Sequence, residues 1–147
     1  MSISVDDLRE QLAHPDAGVR LSAVHSLLLM GKAARPAFEA VAARLRHDES
    51  ADVRAQAAEL LGEMFTMHGI EESEFSTAAI TALAAALRDP HWHTRYLAAE
   101  ALYRFGSQAV GHVRQLRRLA VEDPDDRVRS SAAYSADRLE GLPYKPV

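Results

Sequence analysis

Cysteine is absent from this 147-residue chain, so disulfides and thiolate metal sites are excluded. No apolar run approaches the roughly 20 residues of a membrane span. The opening MSISVDDLRE shows no basic stretch leading into an apolar one, so no signal peptide is expected and cytoplasm is the default compartment. Basic charge is in deficit: 17 Lys and Arg stand against 21 Asp and Glu, a formal net charge of -4. That balance argues against a nucleic-acid binder, which needs a basic surface for phosphates. No P-loop, glycine-rich dinucleotide turn or nucleophile motif occurs, and no apolar–polar alternation long enough for a strand.

What the chain does contain is repetition. Hydrophobic residues make up 48%, enough for one domain with a real core. Four segments resemble one another: HPDAGVR (14–20), DESADVR (48–54), DPHWHTR (89–95) and DPDDRVR (123–129). Their final arginines, Arg20, Arg54, Arg95 and Arg129, are 34, 41 and 34 residues apart. A period of this size marks a solenoid of two-helix units. The longer interval contains TMHGIEES (66–73), which reads as an insertion loop.

An apolar series runs along each segment: Val19-Ala23-Leu27-Met30, Val53-Ala57-Leu61-Met64, Thr94-Ala98-Leu102-Phe105 and Val128-Ala132-Ala136-Leu139. Steps of four, four and three describe the buried stripe of a helix. The repeated alanine suits close helix packing. A first helix precedes each turn, with faces Val5-Leu8-Leu12, Phe38-Val41-Leu45, Ile80-Leu83-Leu87 and Val113-Leu116-Leu119. Ser4 and Asp7 form a capping-box start, Pro36 suits the first position of the third helix, and Gly31, Gly106 and Gly141 suit helix ends. The expectation is one all-α domain of four helix pairs, at about 3–31, 35–65, 74–106 and 107–141, with a tail at 142–147.

The Asp-Pro-x-x-x-Val-Arg turns, followed by Ala-Ala and Leu, resemble those of HEAT-repeat proteins, in particular the short bacterial PBS-lyase HEAT-like repeats. The resemblance covers residues ~3 to 141 and implies a right-handed α-solenoid. It also implies a ladder of bonds between adjacent repeats, made by a turn aspartate and an arginine six residues later. Asp48/Arg54, Asp89/Arg95 and Asp123/Arg129 match that spacing. The first repeat departs, with His14 for the aspartate and Asp16 as a candidate substitute; the third has Thr94 for valine. HEAT folds serve many tasks, so function must be argued from exposed positions.

In such solenoids the second helices line the concave face. The outward columns expected there are Ser22-Gln56-Leu97-Ser131, His25-Glu59-Glu100-Tyr134 and Leu29-Glu63-Arg104-Arg138. Trp92, the sole tryptophan, sits with His93, Tyr96 and Tyr103 on the third repeat, and aromatic clusters of this kind are favoured at interfaces. The candidate partner-binding set is therefore Trp92, His93, Tyr96, Glu100, Tyr103, Arg104, Glu59, Glu63 and Tyr134. Single charges among them fit a solvated helix face equally well, and Trp92 fits a shield over Leu97 or the insertion. His91 and His93 have a metal-like spacing but no third ligand beside them, so no metal or cofactor is expected. Arg114, Arg117 and Arg118 form one basic stripe, on a first helix and away from the concave side.

The reading is a non-catalytic protein-interaction module, an adaptor, assembly factor or immunity-type inhibitor. Its expected partner is another protein with a basic segment, with neither nucleic acid nor membrane involved. The alternative is an enzyme-associated subunit resembling HEAT-like bilin lyases.

Overall fold

The first helix begins at a reciprocal cap. Ser4 Oγ accepts from the Asp7 backbone N–H at 3.1 Å, and the Asp7 carboxylate accepts from the Ser4 N–H at 3.0 Å. These bonds satisfy two donors that would otherwise lack a partner at a helix start. Asp16 caps the second helix by accepting from the Gly18 and Val19 N–H groups, and Asp125 caps the eighth from the Arg127 N–H.

The computed structural model describes residues 3–68 and 74–141. Its helices are α1 (Val5–Gln11), α2 (Ala17–Met30), α3 (Phe38–His47), α4 (Ala51–His68), α5 (Glu74–Ala86), α6 (Trp92–Tyr103), α7 (Val113–Glu122) and α8 (Asp126–Leu139). Two 3-10 segments, Gly31–Ala37 and Gly106–His112, lead into α3 and α7. Gly31 and Gly106, at φ 58° and 56°, turn the chain out of α2 and beyond α6 through a backbone region that L side chains resist. No strand occurs among the described residues.

The second helices α2, α4, α6 and α8 stack in sequence order as one layer, and α3 packs on α5 in the other. Ala23, Ala57, Ala98 and Ala132, the repeated alanines of the periodic stripe, are completely buried in that stack. Gly62 permits a close approach of α4 and α6: a Cβ built there would stand 2.8 Å from Ala101 Cβ. The fold is thus an all-α solenoid of stacked helix pairs.

Three expectations need correction. Pro36 does not open α3; it lies inside the preceding 3-10 segment, and the helix starts at Phe38. Residues 66–68 are not loop, because α4 continues through His68; 69–73 and the tail at 142–147 lie outside the described residues. Leu97 does not face outward. It is buried, at 9% exposure, because the neighbouring α4 covers that side of α6.

Candidate functional site

The ladder arginines define the frame on which any site is mounted. Arg20 Nε and Nη2 donate to Asp48 Oδ2 and Oδ1, each at 2.8 Å. Arg54 makes the same fork to Asp89 at 2.7 and 3.1 Å, and Arg95 to Asp123 at 2.8 and 3.1 Å. Each arginine therefore reaches forward to the aspartate of the next turn. Its Nη1 reaches backward, to the carbonyl six residues earlier: His14, Asp48, Asp89 and, for Arg129, Asp123. Burial works against ionising Asp48. The Arg20 bonds, the Ser50 N–H and the Arg20 and Arg44 charges outweigh it and hold the carboxyl below its ordinary value. The carboxylates in turn raise Arg20 and Arg54.

Asp16 does not stand in for the missing first aspartate, since its carboxylate caps α2. His14 does half of that work. Its Nδ1 accepts from the Asp16 N–H at 3.0 Å, the bond that Asp48, Asp89 and Asp123 accept through Oδ1 from the residue two places on. Thr94, the other departure, is buried and turns its hydroxyl to the Ala51 carbonyl at 3.5 Å.

On the second-helix face, α6 and α8 flank an open hollow of about 820 Å³. Tyr96, Glu100 and Tyr103 line it from α6 at helical spacing, and Tyr134 meets them from α8. Tyr103 and Tyr134 stand edge to face at 5.4 Å, a favourable arrangement of their quadrupoles. The opposite wall comes from residues missing from the expected set: Asp126, Arg127, Ser130 and Asp137. Their spacing along α8 follows one helix face, so the signal was present in the periodicity.

The remaining expected residues lie around this hollow. Glu59, Glu63, Glu100 and Arg104 meet in a small adjoining depression of about 60 Å³ that shares Glu100 with it. Arg104 donates to Glu63 at 2.6 Å, across from α6 to α4, and lies 3.6 Å from Glu100. Burial opposes the Arg104 charge, but Glu63 raises its pKa. Glu63 and Arg104 thus bind each other. His93 is exposed beside Trp92, with ring centres 5.1 Å apart. His25 pairs with Gln56 at 3.0 Å, and Ser131 donates to the Tyr96 carbonyl.

Trp92 makes a contact within the fold that neither expectation included. It is half-buried, and its ring carries the Arg127 guanidinium at 3.4 Å from the ring centre. Arg127 is itself forked onto Asp125 at 2.7 and 3.1 Å. Trp92 therefore ties the start of α6 to the start of α8, and one face of its ring is already occupied by a cation. In the basic stripe, Arg117 bonds Asp137 on α8 and Glu140 just beyond its end, at 2.7 and 3.0 Å. Among the described residues no three His, Asp or Glu side chains are grouped to hold a metal ion, and no helix is long and apolar enough to cross a membrane.

These stacked pairs, joined by an arginine–aspartate ladder, define an α-helical repeat protein. HEAT repeats match residues 38–137, and the chain belongs to that family. No curated protein matches it. Among solved structures, two engineered proteins from the Northeast Structural Genomics Consortium are similar. One has 21% identity and TM-score 0.73, the other 22% and 0.75, and each aligns with 93% of this chain. The chain spans 62% and 64% of their lengths, just under two thirds. The complex of CpcE and CpcF of phycocyanin lyase from Nostoc sp. PCC7120 is also similar, at 17% identity and TM-score 0.61, over 97% of this chain and 67% of that one. HEAT repeats point to a repeat-based protein-interaction module.

Proposed function

We propose that the chain is a non-catalytic interaction module that takes a basic segment of a partner protein into the α6–α8 hollow. The supporting observation is its lining: three tyrosines together with Asp126, with Glu100, which faces Arg104 at 3.6 Å, and with Asp137, which Arg117 bonds at 2.7 Å, against the single lining cation Arg127. That cation is already engaged by Asp125 and Trp92. Tyrosine rings attract cations through their negative faces, and carboxylates around them set the sign of the site. A lysine or arginine of the partner lies between Tyr96 and Tyr103, with Glu100 and Asp126 at its charge. Roles as adaptor, assembly factor or immunity-type inhibitor all use such a surface.

Affinity capture from the source cells, read by mass spectrometry, tests this reading. The wild-type chain should retain a protein with a Lys/Arg-rich segment, and a Tyr103→Ala/Tyr134→Ala variant should lose it. A pigment or stoichiometric metal in the preparation, with no protein lost on substitution, would favour an enzyme-associated subunit instead.

A further inference from the structure

The first-helix layer has a cleft of its own. α3 packs on α5, but α7 stands off α5, and beside their C-terminal ends lies a cleft of about 320 Å³. The end of α5 differs from its neighbours. α3 and α7 run up to Asp48 and Asp123, whose N–H groups donate to carbonyls four residues back. α5 stops at Ala86, and a tightened turn follows. There Leu87, Arg88 and Asp89 N–H donate three residues back, to Ala84, Ala85 and Ala86, at 3.3, 3.1 and 3.1 Å. Leu87 is thereby buried against the core and Arg88 is exposed. Gln115 Nε2 bridges from α7 to the Ala84 carbonyl at 3.1 Å. The carbonyls that end α5 are thus taken, and none of them competes for a guanidinium at the cleft.

Leu87, Leu119 and Pro124 give the cleft an apolar lining, and the paired Arg95 and Asp123 add no net charge to it. Arg88 and Arg118 complete it from α5's end and from α7. Both are exposed, and among the described residues no acceptor meets either guanidinium. Glu122 also lines the cleft, but it is exposed and pairs with neither. We infer that this cleft is a second docking site, opposite in sign to the α6–α8 hollow, for a short segment of a partner protein in which acidic side chains flank a bulky apolar one. Charge complementarity carries the choice of occupant. Guanidiniums present parallel N–H groups at carboxylate spacing, and two of them here lack a counter-charge. The volume, at the small end for binding clefts, suits one apolar side chain over Leu87 and Leu119 but not a helix. A bare phosphate would gain nothing from that lining and would face Glu122, whereas an acidic and apolar segment uses every part of the site.

The probe is the peptide acetyl-Gly-Asp-Phe-Asp-Gly-amide, titrated while amide chemical shifts are recorded. Shifts should gather at Leu87, Arg88, Gln115, Arg118 and Leu119, the residues about the cleft. Arg88→Gln and Arg118→Gln alter exposed side chains, and circular dichroism should show both variants folded. Each should raise the peptide concentration required about threefold, the increment of a part-exposed ion pair, and the double variant about tenfold. Replacing both Asp of the peptide by Asn, or its Phe by Gly, should also weaken binding about tenfold or more. Tyr103→Ala should leave this titration unchanged, since it belongs to the other site. The inference is overturned if the double variant titrates as wild type does, or if the shifts depend on Tyr103. It is overturned equally if inorganic phosphate or the Phe-less peptide shifts the same amides at the same concentrations, because the cleft would then be a bare patch of positive charge.

Discussion

Arg54 and Asp89 lie 35 positions apart in the chain and 2.7 Å apart in space. The flanking rungs, Arg20–Asp48 and Arg95–Asp123, each span 28 positions, so the extra length between the second and third turns leaves the rung geometry intact. The ladder, not the chain spacing, sets the register of the stack. Asp89→Ala leaves the Arg54 charge, 12% exposed, without its carboxylate. The expected loss is about 3 kcal/mol, at the low end for breaking a buried pair from one side. Asp126→Ala removes an exposed carboxylate and should stay within about 0.5 kcal/mol. Denaturant unfolding of both variants checks this; equal losses would contradict a structural ladder.

Acid should unfold the protein through specific carboxylates. Asp48 has its pKa lowered from 3.8, and Asp125 has its lowered from the same value to about 2. A depressed folded pKa contributes stability that is complete above the unfolded value and is lost as pH falls through the folded one. Stability should therefore drop between about pH 4 and pH 2. The gap between wild type and Asp48→Asn should narrow over the same window, as read from unfolding midpoints at successive pH values. A gap that stays constant would show that the Asp48 charge plays no part.

Gly62 is required by the neighbouring helix, not by its own backbone. Its missing Cβ would lie 2.8 Å from Ala101 Cβ and 3.1 Å from Ala101 Cα. Gly62→Ala should cost about 1–3 kcal/mol by forcing α4 and α6 apart, despite the better helix propensity of alanine. Ala101→Gly in the same chain should recover part of that loss in thermal unfolding.

Trp92 and Arg127 should be coupled energetically. Their stacking at 3.4 Å joins α6 to α8, and a double-mutant cycle with Trp92→Ala and Arg127→Ala should give about 0.5–2 kcal/mol of interaction. A value near zero would mean that the tryptophan only covers its surroundings.

The fold was legible because period and packing coincide. The Val53-Ala57-Leu61-Met64 stripe is buried as a unit, and the positive φ of Gly31 and Gly106 follows from where the apolar series stop. The site was half legible. Tyr96, Glu100, Tyr103 and Tyr134 share one hollow, since positions at one depth of adjacent second helices are neighbours in a stack. The Trp92–Arg127 contact was not legible because Arg127, 35 residues on, reaches across from the next pair, and such a rotamer leaves no trace in periodicity. Leu97 was misplaced because an outward position on a lone helix becomes inward where α4 leans over it.

The central claim, a cation-binding hollow between α6 and α8, is tested most directly by amide chemical-shift mapping during titration with an oligoarginine peptide. The shifts should concentrate at Tyr96, Glu100, Tyr103, Ser130 and Tyr134, the residues that line the hollow. In Tyr103→Ala they should require about tenfold or more peptide, the cost of one cation–π contact together with its ordered surface. Shifts scattered over the acidic side chains of every helix, with the same affinity in Tyr103→Ala, would contradict the account.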